Sequence, residues 1–317
     1  MPNPKVTGLR GVELAVRDLN QSAAFYSAVW GLEECVREAD TVHLRANADE
    51  HHVLTLRERP APGLLGVHFA AADRDAVTAL HAKAKAFGAK VDSEPSDLPR
   101  SAGGGFGFGF RSLEGHQLNV SAEVARHPNT INDRSKPKKL SHVVLNAGRI
   151  ADETKFLIDL LGFRLSDSTN IMEFIRCSAD HHSIAFARSD GPSLNHMAYE
   201  MENFDGLMRG AGRMKKYGFN IEWGVGRHGP GDNVFSYFVE PNGFVTEYTT
   251  EIQQVDETDY EPHDAEYWGN FPMRPCRWGM ATTPSNRVRA AMGGDTSVAD
   301  PEAGRRCEEI MAKTLGR

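Results

Sequence analysis

Three side chains in the second half of the chain, His142, His196 and Glu247, are of types that bind a divalent metal. They are separated by 54 and 51 residues, far beyond the reach of any local metal motif. Two imidazoles and one carboxylate gathered on one face of a metal leave the opposite face open. A bidentate substrate and O2 could enter there, which is the ligand arrangement of non-haem Fe(II) oxygenases. Neutral imidazoles and a single carboxylate also leave one net positive charge on a divalent ion, suited to a monoanionic substrate. Three further polar residues share this half. His182 stands 14 residues before His196, His228 lies in WGVGRHGPGDNVF, and Tyr237 follows His228 by nine residues and precedes Glu247 by ten. Imidazole and phenol are the groups wanted for moving protons beside a metal. A loop dense in glycine and proline can hold His228 at a cavity mouth.

These residues acquire meaning from an internal repeat, which must position them. LRGVELAV (9–16) and LSHVVLNA (140–147) both alternate like strands. Each precedes a helical pattern, 18–32 with Asp18 or Asn20 as N-cap and Gly31 as stop, and 149–163 stopped at Gly162. HHVLTL (51–56) matches HHSIAF (181–186), and LGVHF (65–69) matches LNHMA (194–198). Second helices are expected over 72–88 and 202–218, and each half closes on a strand–turn–strand, 110–120 and 238–248, around Gly115 and Gly243. The sequence therefore predicts an α+β fold of two tandem, pseudo-symmetric domains. Each is built of two βαβββ modules that form a barrel-like curved mixed sheet with helices outside. The expected boundaries are a first domain over 1–122, a solvated linker over 123–138, a second domain over 139–251, and an extension over 252–317 packed on the second domain.

Aligned in this way, His142 falls opposite Gly11, His196 opposite Val67 and Glu247 opposite Asn119. The three metal-binding side chains thus occur in one half alone, on three different strands. Inward-facing residues of neighbouring strands in a curved sheet converge on one cavity. The paired His51 and His52 of the first half have no such ligands nearby and are taken as vestigial. GGGFGFG (103–109) lacks the Lys-Ser/Thr of a phosphate loop, and HExxH and GxSxG are absent.

Composition narrows the classes. With 36 Lys+Arg against 43 Asp+Glu, the net charge of −7 speaks against a nucleic-acid scaffold. No apolar run approaches the roughly 18 residues of a membrane span. MPNPKVTG has no basic stretch followed by an apolar one, and the four cysteines form no CxxC pair. The expectation is a cytoplasmic protein with reduced thiols.

The second half resembles the type I extradiol ring-cleavage dioxygenases of the vicinal-oxygen-chelate superfamily, which include the catechol 2,3-dioxygenases. LSHVVLNA, HHSIAFA, LNHMAYEM, GRHGPGDNVFSYF and EPNGFVTEY carry the resemblance, which covers both halves over about 8–250. It implies that His142, His196 and Glu247 hold Fe(II), with Mn(II) also compatible. It further implies that His182 is an active-site acid–base, and that His228 and Tyr237 flank the substrate oxygens. The implied reaction inserts both atoms of O2 into a catechol-type ring beside the diol, giving a yellow muconic semialdehyde-type product in aromatic degradation. The small aromatic diol and O2 are the implied partners, in a homo-oligomer with neither nucleic acid nor membrane. Val144, Phe174, Phe186, Asn195 and Phe235, with Trp268 or Phe271 of the extension, are expected around the ring. Two other classes share the superfamily: a metal-dependent glyoxalase or isomerase, and a non-catalytic binding protein.

Overall fold

A computed structural model describes residues 4–272 and 276–314. Residues 1–3, 273–275 and 315–317, which fall in the first expected segment and in the extension, lie outside it. The first half contains β1 (Val6–Val16), α1 (Leu19–Ala24), β2 (Glu33–Arg37), β3 (Thr41–Arg45), β4 (Leu54–Glu58), β5 (Gly63–Ala71), α2 (Arg74–Ala86), β6 (Ser96–Asp97), β7 (Phe106–Arg111) and β8 (Gln117–Ala122). The second repeats the order with β9 (Lys139–Ala147), α3 (Ile150–Leu161), β10 (Arg164–Ser168), β11 (Met172–Arg176), β12 (Ile184–Arg188), β13 (Ser193–Glu200), α4 (Phe204–Lys216), β14 (Trp223–Arg227), β15 (Val234–Val239) and β16 (Val245–Thr250).

Both sheets have eight strands and the same spatial order, β2-β3-β4-β1-β5-β8-β7-β6 and β10-β11-β12-β9-β13-β16-β15-β14. The two modules of each half join through the antiparallel pairs β1–β5 and β9–β13. The two end strands of a sheet are not hydrogen-bonded to each other, so the expected barrel is an open cup. Asp18 caps α1, its side chain accepting from Gln21 N, and the helix continues as a π-turn over Phe25–Trp30. Gly31 and Gly162 end their helices at φ +100° and +76°, a left-handed turn that a Cβ would strain.

The halves are fastened by aromatic and polar contacts. Trp30 stacks on Tyr248 at 3.8 Å, and Arg213 donates to the Val29 and Trp30 carbonyls. The Glu114 carboxylate of the first half accepts from Gly148 N and Arg149 N, just before α3. In the extension, α5 (Ala265–Asn270) and α6 (Asn286–Met292) lie over the second half, whereas α7 (Pro301–Thr314) packs its Ala303, Gly304 and Cys307 toward α1 of the first. The extension therefore spans both halves instead of staying on the second. No helix among the described residues is long and apolar enough to cross a membrane.

Candidate active site

Sheet register brings the three metal-binding side chains together. His142 lies on β9, His196 on β13 and Glu247 on β16, three adjacent strands. Ala198 is the cross-strand partner of both His142 and Glu247, and Val144 is the partner of His196. All three side chains rise from the concave face and are buried. His142 Nε2 and His196 Nε2 each stand 3.3 Å from the same oxygen, Glu247 Oε2. Neither Glu247 Oε2 nor His196 Nε2 has a hydrogen-bond partner of sound geometry, although both are buried. Buried polar atoms left in this way are costly, and a divalent cation among them satisfies both. The O/N/N donor set suits Fe(II) or Mn(II). It is the only group of three or more potential metal ligands among the described residues. Burial would raise the Glu247 pKa, but His142 and His196 outweigh it and hold the carboxyl well below its usual range.

Tyr237 on β15 pairs with Glu247 across the strands, and its hydroxyl meets His228 Nε2 at 3.0 Å. His228 lies just beyond β14, fixed by its backbone N–H to the Asn233 carbonyl. Burial lowers its pKa to about 4. Burial and the nearby Glu247 push the Tyr237 phenol well above its ordinary value. The pair is thus neutral at pH 7 and equipped to exchange hydrogen bonds with a substrate oxygen.

His182 occupies the other flank, its ring centroid 4.2 Å from that of His142. It stands just before β12, not within a strand as the HHSIAF pattern predicts. Burial, then the His142 and His181 imidazoles, lower its pKa well below the ordinary value. Its Nδ1 meets His181 Nδ1 at 3.1 Å, and His181 Nε2 reaches Asp167 Oδ2 at 3.0 Å.

A cavity of about 650 Å³ opens above these groups. Val144, Phe174 and Asn195 line it, together with Met172, Trp223, Trp268, Phe271 and the two cations Arg188 and Arg277. Two of the pocket residues expected from sequence do not line it. Phe186 lies between Ala185 and Ala187 on β12, so strand alternation turns it away from the cup and into the main core. Phe235 shares a face with Tyr237, but the His228 ring covers it, stacked at 3.9 Å. It supports His228 from behind. Sequence reasoning also passed over Asp167, Asn146, Trp223 and Asn233, whose Nδ2 donates to Glu247 Oε1 at 3.3 Å. For Asp167 the signal was present, since Val36 takes its place in the other half.

The first half shows what the same cup becomes without ligands. Register places Gly66, not Val67, opposite His196: Glu13 pairs with Gly66 as Val144 pairs with His196, so Leu64, not Leu65, is the counterpart of Leu194. Val67 belongs to the core face. In the cup, Glu13 replaces Val144 and His68 replaces Ala198, while Arg57 replaces Ala187. Glu13 accepts from Arg57 and lies 3.4 Å from His68 Nε2. A partly exposed charge cluster stands where the second half has its apolar cup residues.

A family model described as the glyoxalase/bleomycin resistance protein/dioxygenase superfamily matches residues 8–120 and 139–248, both copies of the repeat. The chain belongs to this superfamily. Among its superfamily relatives, Metapyrocatechase 2 of Cupriavidus necator is 33% identical over 146 residues, 43% of this chain and 46% of that protein, so this match spans about half of each. The metapyrocatechase of Geobacillus stearothermophilus is 25% identical over 309 residues, 89% of this chain and 88% of that one. Among solved structures, the Mn(II)-bound glyoxalase from Novosphingobium aromaticivorans is 42% identical with a TM-score of 0.83, covering 89% of this chain and 94% of the other.

Proposed function

We propose that the protein is a metal-dependent extradiol dioxygenase that cleaves a catechol-type ring beside its diol. The observation that carries this is the grouping at the floor of one cavity of a two-His, one-carboxylate set, the carboxylate buried beneath the lining histidines, with an acid–base candidate on each flank. His142, His196 and Glu247 would hold Fe(II) or Mn(II). The metal would supply Lewis acidity toward the diol and a redox centre between the diol and O2. On one flank, Tyr237 Oη and His228 Nε2 orient the substrate oxygens by hydrogen bonds. On the other, His182 takes up the proton lost as the diol binds and returns it during cleavage. Val144, Phe174 and Trp223 present apolar surface to the ring and exclude water. The four cysteines are free thiols, in keeping with a reducing, cytoplasmic setting.

The second reading is a metal-dependent glyoxalase or isomerase, favoured by the likeness to the Mn(II)-bound glyoxalase. Oxygen separates the two. The Fe(II)- or Mn(II)-loaded protein, given catechol, 3-methylcatechol and larger catechols in air, is expected to consume O2 and release a yellow product. Substrate turnover with no O2 uptake would favour the isomerase.

A further inference from the structure

The His196 ring sits at the end of a chain of hydrogen bonds whose direction can be deduced. Its Nδ1 lies 2.8 Å from Asn195 Oδ1. Asn195 Nδ2 donates to Asn146 Oδ1 at 2.9 Å. Asn146 Nδ2 donates to the backbone carbonyl of Met292 at 2.6 Å and to Ser193 Oγ at 2.7 Å. The Met292 carbonyl can only accept. Asn146 must therefore turn its NH2 toward Met292 and its oxygen toward Asn195. Asn195 must then turn its NH2 toward Asn146 and its oxygen toward His196. An amide oxygen also only accepts, so His196 Nδ1 carries the hydrogen and Nε2 keeps a free lone pair. That is the form a divalent metal requires.

We propose that Asn195 and Asn146 are positioning residues which, anchored on Met292 at the end of α6, fix the tautomer and ring plane of His196. The proposal rests on the metal-site reading and extends it to the C-terminal segment. The sister half supports it independently. Leu65 and Ala15 stand where Asn195 and Asn146 stand, in the half that has Gly66 in place of His196. The polar chain is thus absent where the ligand is absent. Asn195 occupies the bulge of β13 between Leu194 and His196, which lets consecutive residues both serve the site. Asn146 is held on its other side as well, since its carbonyl accepts from His116 Nε2 of the first half at 2.9 Å. His142, by contrast, has only the Ser141 hydroxyl near its Nδ1, at 3.2 Å, a group that can donate or accept.

The test is Mn(II) binding to the metal-free full-length protein, read as a dissociation constant, beside 1H–15N spectra of the histidine rings. Asn195→Ala is expected to weaken Mn(II) binding by about 10- to 100-fold. Asn146→Ala, which touches neither His196 nor the metal, should weaken it in the same direction. The double variant should be no worse than Asn195→Ala alone, since the two act in one chain. Ser193→Ala, which leaves the Met292 anchor intact, should change it by less than about twofold. In the metal-free wild type, the resonance that His196→Ala removes should report a hydrogen on Nδ1, and Asn195→Ala should mix the two tautomers. A folded Asn195→Ala protein that binds Mn(II) as well as wild type overturns the proposal. So does a wild-type His196 with its hydrogen on Nε2. If Asn195→Ala does not fold, Asn146→Ala decides the same question. Failure of the wild type to bind any metal would instead overturn the metal-site reading, with the ring spectra still judging the chain.

Discussion

The Nε2 of His181 donates to Asp167 Oδ2 over 3.0 Å, with both residues buried beneath the active-site cup. With its one ring hydrogen donated from Nε2, His181 accepts at Nδ1, and the group facing it at 3.1 Å is His182 Nδ1. His182 then carries its hydrogen on Nδ1 and keeps Nε2 free. In Asp167→Asn the amide oxygen would stay with the His263 N–H and the Tyr260 hydroxyl, turning the NH2 donor toward His181 Nε2 and reversing this order. Turnover is expected to fall by roughly tenfold or more, as when a histidine-orienting carboxylate is lost elsewhere. Metal content should stay stoichiometric. Steady-state rates and metal analysis on the same sample check both halves of the prediction.

His182→Gln tests the proton role itself. His182 is not one of the three clustered ligand groups, so its replacement should leave metal affinity within a few-fold. Removal of a general acid–base costs typically 10²- to 10⁴-fold in rate. A variant with near-wild-type turnover would remove His182 from the mechanism.

The charge cluster of the first half should matter for stability and not for catalysis. Burial opposes ionisation of Glu13, but His68 and Arg57 prevail and lower its pKa to about 2. A carboxyl held below its unfolded value stabilises the fold above about pH 4.5, and this contribution is lost as pH falls toward 2. The shift corresponds to roughly 3 kcal/mol. Glu13→Gln is therefore expected to lower unfolding free energy by about 1–3 kcal/mol at pH 7, with most of the deficit gone at pH 3. Urea denaturation at the two pH values measures this, and metal binding should be unchanged.

Glu240 gives the opposite sign. It is fully buried in the β15–β16 turn, where Phe244 N and Asn242 Nδ2 donate to it, and burial pushes its pKa up to about 7. An acid with a raised folded pKa contributes most below about pH 4.5, and the contribution is lost as pH rises through 7. Between pH 5 and 8.5 the wild type should lose up to roughly 3 kcal/mol relative to Glu240→Gln. Parallel pH-dependent slopes for the two proteins would show that Glu240 is not the source.

The repeat made much of this fold readable. Strand alternation, helix stops at Gly31 and Gly162, and the offset between copies locate most elements to within a few residues. Comparing the halves also singled out His142, His196 and Glu247, because ligands and fillers differ in chemical type. What the sequence concealed was register. Matching Leu65 instead of Leu64 to Leu194 set Val67 in place of Gly66 as the counterpart of His196, and Phe186 was taken for the pocket although its alternation with Ala185 and Ala187 turns it to the core. Asp167 and Asn146 were passed over because their roles come from partners 14 or more residues away, His181 in one case and Asn195 and Met292 in the other. The course of α7 onto α1 has no local signal, since an amphipathic helix does not name the surface it covers.

Isotope labelling distinguishes dioxygenase chemistry from every alternative at this site. Protein loaded anaerobically with Fe(II) or Mn(II) would be mixed with a catechol under 18O2, and the product analysed by mass spectrometry. Two 18O atoms should appear in a ring-opened product, and Glu247→Gln, which removes the shared carboxylate, should abolish both metal retention and product. Conversion of substrate under argon, or a product carrying no 18O, would contradict the dioxygenase.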